Sequence, residues 1–513
     1  MIKVKNFYIL ILAFFLHGTS IFAESGWQFQ VSGTSVFLRS VHFTSPTTGW
    51  VVGDAGIILK TTNGGDNWFA QSSNTTTNLY SVHFPNSSTG YICGSSGIIL
   101  KTSNGGDNWL TQTSATAEQL YSIYFVSATL GFTVGFNGTI LKTVNGGINW
   151  TPQISGTTDY LFSTQFTSSN TGWAVGGSPF TKTVILKTTN AGTNWTSQTG
   201  DVTGLLSVHF TSPTTGCGVG SFGGVLYTTD GGVNWENRTS HIILTGELRS
   251  VHMTSPTTGY VTKSGKIYKT TTSCHSWIIQ EIDNSNILSD IYFTSPTTGW
   301  TVGNNGTILK TTNGGTSTFY FNLSVLLEGF YDANSGYMKG DMIRVTPFYA
   351  TPYPLGIQPA NGFLDSTGHC TLTFYDADHS TPIYFVINHR NSIETWTDTS
   401  MRFSSFSLTY DFTTAASQAY GNNMILKGTE YCIYSGDVNQ DDVVDGVDKG
   451  VVDNNAFNFV TGYVPADVTG DNLVDGSDAA IVDNNAFNFV TKIAPFGFES
   501  GPQNQIKAVI QSK

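Results

Sequence analysis

The stretch LRSVHFTSPTTGWVVGDAGIILKTTNGGDNW, Leu38 to Trp68, decides the architecture of the first half of this 513-residue chain. Ser-Val-His-Phe reads as a first short strand, and Thr-Ser-Pro-Thr-Thr-Gly as a turn with Pro near its start. Gly-Trp-Val-Val-Gly is a second strand and Gly-Ile-Ile-Leu-Lys-Thr-Thr a third. The turn Thr-Asn-Gly-Gly-Asp-Asn supplies the left-handed positions a tight hairpin needs and leads into a fourth strand at Trp68. The unit returns about every 41 residues: its closing Trp recurs at Trp109, Trp150, Trp195, Trp235 and Trp277. The Gly-aromatic pair recurs from Gly49-Trp50 to Gly299-Trp300, with Gly216-Cys217 in the fifth copy. Seven four-stranded units that cannot bury both faces alone predict a seven-bladed β-propeller. The seventh copy ends at Asn313-Gly314-Gly315 without its Trp strand. Gly26-Trp27-Gln28-Phe29, before the first copy, reads as that missing strand, so the ring is expected to close without an open edge.

The turn resembles the Asp-box of bacterial neuraminidases, Ser/Thr-x-Asp-x-Gly-x-x-Trp. Thr228 to Trp235 fits it fully, Asn63, Asn104, Asn145 and Asn190 replace the Asp, and the sixth copy (Thr270 to Trp277) has lost it. The whole unit, over residues 26 to 315, resembles the propeller family named for photosystem II stability and assembly factors. In those families the box is a structural turn. Sialidase chemistry would need an arginine cluster, and the propeller holds only Arg39, Arg238 and Arg249. A glycosidase needs two carboxylates flanking the bond. Asp54, Asp159, Asp201, Glu118, Glu236, Glu247, Asp283 and Asp290 are the candidates outside the box, and none lies in a catalytic motif. His42, His83, His209 and His252 recur at one position of the innermost strand, which reads as a metal ring or, more simply, as imidazoles hydrogen-bonded between blades.

Outside the repeat the chain divides again. Residues 1–23 carry Lys3 and Lys5, an apolar run from Phe7 to Leu16 and small residues up to Ala23, the pattern of a secretory signal. No other stretch could cross a bilayer, so the mature chain is expected to be secreted or at the cell surface, with no membrane span. Residues 24–318 are assigned to the propeller. From Phe319 to 432, alternating segments such as Ile383-Tyr-Phe-Val-Ile387 read as about seven strands of an immunoglobulin-like β-sandwich, a spacer or a carbohydrate-binding-like module. Of five cysteines, Cys370 and Cys432 are the one pair that could bridge, while Cys93 and Cys217 read as small buried hydrophobes. Scarce charge, 11%, with 56 Gly and 13% aromatics, suits an all-β protein. No basic patch supports nucleic-acid binding.

Most of the −12 net charge falls in residues 433–495, where eleven Asp face only Lys449 and Lys492. There Asp437, Asn439, Asp441, Val443, Asp445 and Asp448 occupy loop positions 1, 3, 5, 7, 9 and 12, with Val443 offering its carbonyl. Thirty residues on, Asp467, Thr469, Asp471, Leu473, Asp475 and Asp478 repeat the register. That is the oxygen set of a seven-coordinate Ca²⁺, so two ions are expected. Asp442 and Asn472 stand at position 6, where a left-handed residue is needed. Each loop leads into Val-Asp-Asn-Asn-Ala-Phe-Asn-Phe-Val, at 452–460 and 482–490. The paired loops and helices resemble a type I dockerin, which implies calcium-dependent folding and docking to a cohesin-like or cell-surface partner. At the recognition positions 10 and 11 the chain departs from that pattern with Gly446-Val447 and Gly476-Ser477. Residues 496–513 remain as a tail.

The expected function is therefore a secreted, non-catalytic binding or scaffold protein. Its propeller offers a surface for a carbohydrate or protein ligand, and its C-terminal module docks or stabilises. The alternatives are a secreted glycoside hydrolase acting on polysaccharide and delivered by its dockerin, and a photosystem II assembly-type factor.

Overall fold

The computed structural model describes residues 26–496 and 498, apart from 179–182, 240–245, 281, 283–284, 351–357, 376–381 and 404–405. The signal segment 1–23 and most of the tail lie outside the described residues. Seven four-stranded antiparallel sheets follow one another from residue 28 to residue 311. Blade 1 is built from Leu38–Phe43, Gly49–Gly53, Ile58–Thr61 and Phe69–Gln71, and the later blades repeat that order. In blade 7 the outer strand is Gln28–Gln30, paired antiparallel with Ile308–Thr311 in the register Gln28 to Lys310. The N-terminal segment thus closes the ring, as the missing seventh Trp strand predicts. Blade 7 also meets blade 1 directly: Trp300 Nε1 donates to the Gly64 carbonyl at 3.0 Å, and the Val41 N–H donates to the half-buried Asp290 carboxylate at 3.0 Å.

The blades are held by one repeated contact. At six of the seven junctions the aromatic of the second strand stacks on the Phe at the end of the next blade's first strand. Trp50 on Phe84 and Trp300 on Phe43 have ring centroids 3.6 Å apart. Such pairs contribute about 0.5–1.5 kcal/mol each beyond the area they bury. Gly49 makes room for this, since a Cβ there would sit 2.5 Å from the Phe43 ring. The turn before each closing Trp is fastened from within. Thr228 Oγ1 donates to Asp230 Oδ1 and accepts from the Gly232 N–H, while Asp230 accepts from the Asn234 N–H. Asn63 makes the same bond to the Asn67 N–H, and in the sixth copy Thr272 accepts from the Ser276 N–H. Asp, Asn and Thr are interchangeable here because the turn needs only a side-chain oxygen at that place.

Two further sheets form the sandwich. One orders His369–Tyr375, Thr318–Ser324 and Ser407–Asp411; the other orders Ala360–Phe363, Met342–Tyr349, Ile383–His389 and Ser392–Trp396. Phe321 and Phe385 stack across them at 4.2 Å. The seven strands are those expected, but their order is not that of the immunoglobulin fold. There, the second and third strands of the chain lie in opposite sheets; here Met342–Tyr349 and Ala360–Phe363 are antiparallel neighbours, and the first strand pairs in parallel with the last. Alternation shows which residues face inward, not which strand they lie beside. The proposed bridge is also corrected: Cys370 and Cys432 are both unpaired. Cys370 lies opposite Leu323 in one sheet, whereas Cys432 lies opposite Ile425 in a separate hairpin.

Two helices follow, α1 (Gly446–Phe457) and α2 (Gly476–Phe487). Each starts on a reciprocal capping box, Asp445 with Asp448 and Asp475 with Asp478. Packing is continuous across residues 432 and 433: Val444, Val452, Val468, Val474, Val482 and Val490 belong to the same apolar core as Phe321 and Phe385. No described helix is long and apolar enough to cross a membrane.

Candidate functional site

The two acidic loops are tied crosswise. The Val444 N–H donates to the Val490 carbonyl and the Val474 N–H to the Val460 carbonyl, so each loop pairs with the segment leaving the other loop's helix. Asp442 and Asn472 take left-handed φ of 75° and 68°, as position 6 requires. In the first loop Asp437 and Asp448 are 1% and 0% exposed. Ligand oxygens of Asp437, Asp441 and Asp448 lie within 4.8 Å of one another, the one such group of metal-ligating side chains among the described residues. Burial, followed by the Asp448 charge, pushes the Asp437 carboxyl up to about 7. Burial likewise pushes Asp448 up. Buried carboxylates converging without a counter-charge are the donor set a hard divalent cation fits.

The second loop repeats the backbone bonds of the first, in which Asp437 accepts from the N–H groups of Asp441 and Asp442, and Asp448 from those of Asn439 and Asp445. Asp467 accepts from the N–H groups of Asp471 and Asn472, and Asp478 from those of Thr469 and Asp475. Thr469 Oγ1, at ligand position 3, is buried with no hydrogen-bond partner. Such an orphaned oxygen suits a cation. Against it, the Arg390 guanidinium of the sandwich comes within 3.7 Å of Asp467 Oδ2. The two loops, which share seven of twelve residues, are electrostatically unequal at their first ligand position.

Arg390 belongs to the Asn388–Asn391 cluster, which reads as a polar loop of little value in sequence. It is the tip of a hairpin inserted between the loops. Asn391, 0% exposed, accepts from the Gly436 N–H through its carbonyl and donates from Nδ2 to the Asp467 carbonyl at 2.9 Å. One side chain and its backbone therefore hold the entrance of both loops. Asn391→Ala leaves the Asp467 carbonyl with Arg390 Nη1 as its side-chain donor, at 3.1 Å, and is expected to cost about 0.5–1.5 kcal/mol in chemical denaturation of the full chain. A cost below about 0.5 kcal/mol would show the clamp to be dispensable. His389 beside it bonds Ser392 Oγ at 3.0 Å and Asp341 Oδ2 at 3.1 Å. The trio has the residue types of a hydrolytic triad, but Ser392 is 2% exposed, and the cluster props the Arg390 hairpin through Asp341.

In the propeller, the recurrent histidines line the axis. His42 and His83 lie 4.8 Å apart and His209 and His252 4.3 Å apart, with Tyr124, Gln165 and Tyr292 at the remaining places. Nδ1 of His83 accepts from the Phe125 N–H, and Nδ1 of His209 from the Met253 N–H, so each bonds the next blade. Burial pushes both down to about 4, and they are neutral near pH 7. The hydrogen-bonded reading describes these two imidazoles.

The hydrolase candidates are dispersed and several are engaged. Asp54 pairs with Arg39, Glu236 with Arg238 and Glu247 with Arg249. Asp290 is half-buried and accepts from the Val41 N–H and the Ser250 hydroxyl. Asp283 lies outside the described residues. Elsewhere on the propeller, sequence reasoning missed an aromatic arc running over blades 1 to 4. Arg39 lies over Tyr80, Tyr80 neighbours Tyr121 at 5.5 Å, and Tyr121 neighbours Phe162 at 5.2 Å. Tyr160 and Phe136 extend it, 5.0 Å apart. All but Phe136, which is 36% exposed, are half-buried. Tyr80, Tyr121 and Phe162 share one repeat position, directly after the leading Leu, and that coincidence was the available signal.

Comparison with known proteins bears on the propeller. Residues 20–115 and 111–203 match the family model described as photosynthesis system II assembly factor YCF48. Among solved structures, YCF48 bound to a D1 peptide is 18% identical, with 56% of this chain and 96% of that one covered and a TM-score of 0.48. YCF48 from Cyanidioschyzon merolae gives 18%, 56%, 98% and 0.48. The WD40 propeller domain of Doa1 gives 10%, 56%, 96% and 0.46. No curated protein matches the chain. Over residues 20–203 the chain is thus similar to the YCF48 family, and its first half is an all-β propeller.

Proposed function

We propose that the protein is an exported, non-catalytic binding protein whose propeller holds a protein partner and whose C-terminal module, loaded with calcium, docks it to another surface. The aromatic arc carries the reading for the propeller. Clustered Tyr, Phe and Arg, with the arginine charge matched by Asp54, are the composition of a protein-binding hot spot. Similarity to an assembly-factor family over residues 20–203 supports the same kind of role.

In the C-terminal module, Asp437, Asn439, Asp441, the Val443 carbonyl, Asp445 and Asp448 would hold one Ca²⁺. Asp467, Thr469, Asp471, the Leu473 carbonyl, Asp475 and Asp478 would hold the second. The ions would neutralise the buried carboxylates and fix the loops against the helices. Phe457, Phe459, Phe487 and Phe489 stand 81–85% exposed at equivalent places of the two halves. Phe459 and Phe489 hold left-handed φ of 53° and 54°, a strained backbone for an aromatic residue. Duplicated, strained and exposed rings support docking to a cohesin-like or cell-surface protein.

The test is cross-linking of the full chain in the cells that make it, comparing wild type with Tyr121→Ala plus Phe162→Ala. Losing two hot-spot rings is expected to reduce the propeller's principal cross-linked partner by tenfold or more, on the order of 2 kcal/mol or above. Equal cross-linking in both proteins would overturn the arc as the binding surface. Retention of the wild type, but not the variant, on neutral polysaccharide would move the reading to a carbohydrate ligand.

A further inference from the structure

Six of the seven blade junctions are built alike, and the seventh is not. At six of them the second-strand aromatic stacks on the next blade's Phe, as Trp173 does on Phe210 at 3.6 Å and Tyr260 on Phe293 at 4.1 Å. At four of them its far edge covers the second glycine of the next blade's turn, as Trp50 covers Gly106, which is left-handed with φ 93°. Between blades 5 and 6 all three partners change together. Cys217 replaces the aromatic, Met253 replaces the Phe, and Cys274 replaces the glycine. Cys274 keeps the left-handed backbone, φ 66°, at a place where the other six blades keep glycine. A residue with a Cβ in that conformation is strained, and strain persists where something else requires the residue.

The requirement is visible in the packing. Cys217 Sγ and Cys274 Sγ are 3.1 Å apart, both residues are 0% exposed, and Met253 Sδ lies 3.9 Å from Cys274. The hydrogen bond that Trp50 gives to the Gly105 carbonyl is here supplied by Arg238, which donates to the Ser273 carbonyl and lies over the Tyr227 ring. The junction has exchanged its ring stack for two thiols in contact.

We infer that Cys217 and Cys274 form a disulfide that locks blade 5 to blade 6. The pairing follows from geometry, and its presence in the native protein rests on the export reading, since such bonds persist in oxidising compartments. In the reaction each thiol gives up its proton and the pair gives two electrons to a disulfide oxidant. With oxidised glutathione, one protein disulfide forms, one glutathione disulfide breaks, and two glutathione thiols are released. Burial pushes the Cys274 thiol up, so the folded dithiol exchanges slowly and the bond forms while blades 5 and 6 are still closing. Cys93, Cys370 and Cys432 have no such partner and remain thiols.

Refolding of the full chain in a glutathione redox buffer, followed by denaturation and alkylation without reductant, reads the outcome. Three labelled cysteines and one linked peptide pair containing Cys217 and Cys274 are expected. Five labels, or a linked pair involving any other cysteine, would overturn the assignment. The variant Cys217→Trp plus Cys274→Gly restores the junction of the other blades. It should give three labels with no linked peptide and a melting temperature indifferent to dithiothreitol, whereas the wild type melts lower when reduced. A wild-type melt unmoved by reduction would count against the lock. Protein taken directly from cells separates the two readings: linkage on refolding but five thiols in the cellular material would refute export and leave the pairing intact.

Discussion

Replacing Asp437 and Asp467 together with Ala abolishes the rise in thermal stability that calcium is expected to give the full chain. Each saturated site stabilises the folded state by about 2.7 kcal/mol when free calcium stands at a hundred times its dissociation constant. The sandwich and the two loops share one core, so two bound ions would act on one cooperative unit of residues 319–490. For a unit of that size each kcal/mol moves the melting temperature by about 2–4 °C, which gives a shift of roughly 10–20 °C between chelator and saturating calcium. Scanning calorimetry with EDTA and with CaCl₂ measures it. The single variants are expected to be unequal. Arg390 already opposes a cation beside Asp467, so Asp437→Ala removes the larger share. A shift that survives in the double variant would sink the assignment, because Asp437, Asp441 and Asp448 are the one converging group of carboxylates among the described residues.

How much of this was legible in sequence depended on whether neighbours in space were neighbours in the repeat. The blade strands, the closing segment at Trp27 and the left-handed position 6 of each loop follow from local patterns recurring at a fixed period. The propeller's contacts join each blade to the next, so one period contains both partners of every interface, and a single copy such as Leu38–Trp68 was enough. The sandwich carries no such repetition. Its strands could be read from alternation, but the parallel pairing of Thr318–Ser324 with Ser407–Asp411 spans more than eighty residues and leaves no local mark.

The same distinction separates what was seen in the candidate site from what was missed. The twelve candidate ligand positions could be read because a loop closes on its own residues, and of them Asp437, Asp441 and Asp448 converge. Arg390 and Asn391 were not, because they act on Asp467 from the sandwich, 77 and 76 residues away. The thiol pair was passed over for a related reason. Cys217 was read within its strand as a small hydrophobe, and Cys274 within a degenerate copy of the turn. Only the junction between blades sets them face to face.

Trp27→Ala is expected to cost the propeller about 3–5 kcal/mol, as much as any single truncation in its core. Trp27 is 3% exposed and meets Phe293 edge-on at 5.8 Å and Tyr260 at 6.5 Å. It stands where Trp150 stands against Phe125 in blade 3, also at 5.8 Å. The two tryptophans differ in how the chain holds them. Trp150 is anchored on both sides by its own blade, whereas Trp27 immediately precedes a three-residue strand that reaches the ring from the opposite end of the propeller sequence. Removing the Trp27 ring therefore weakens the closure itself, and removing residues 26–30 uncovers the edge of Ile308–Thr311. An open edge with buried Ile308 and Leu309 beside it pairs with other chains. Urea unfolding of Trp27→Ala and Trp150→Ala should give comparable losses of stability. Amide exchange in Ile308–Thr311 should quicken in Trp27→Ala alone, and the 26–30 deletion should sediment as aggregate. If Trp27→Ala costs less than about 1 kcal/mol and leaves that exchange unchanged, the ring is held by its blade junctions alone. The N-terminal strand would then be ornament to a closure that the six aromatic stacks and the blade 5–6 thiols already achieve.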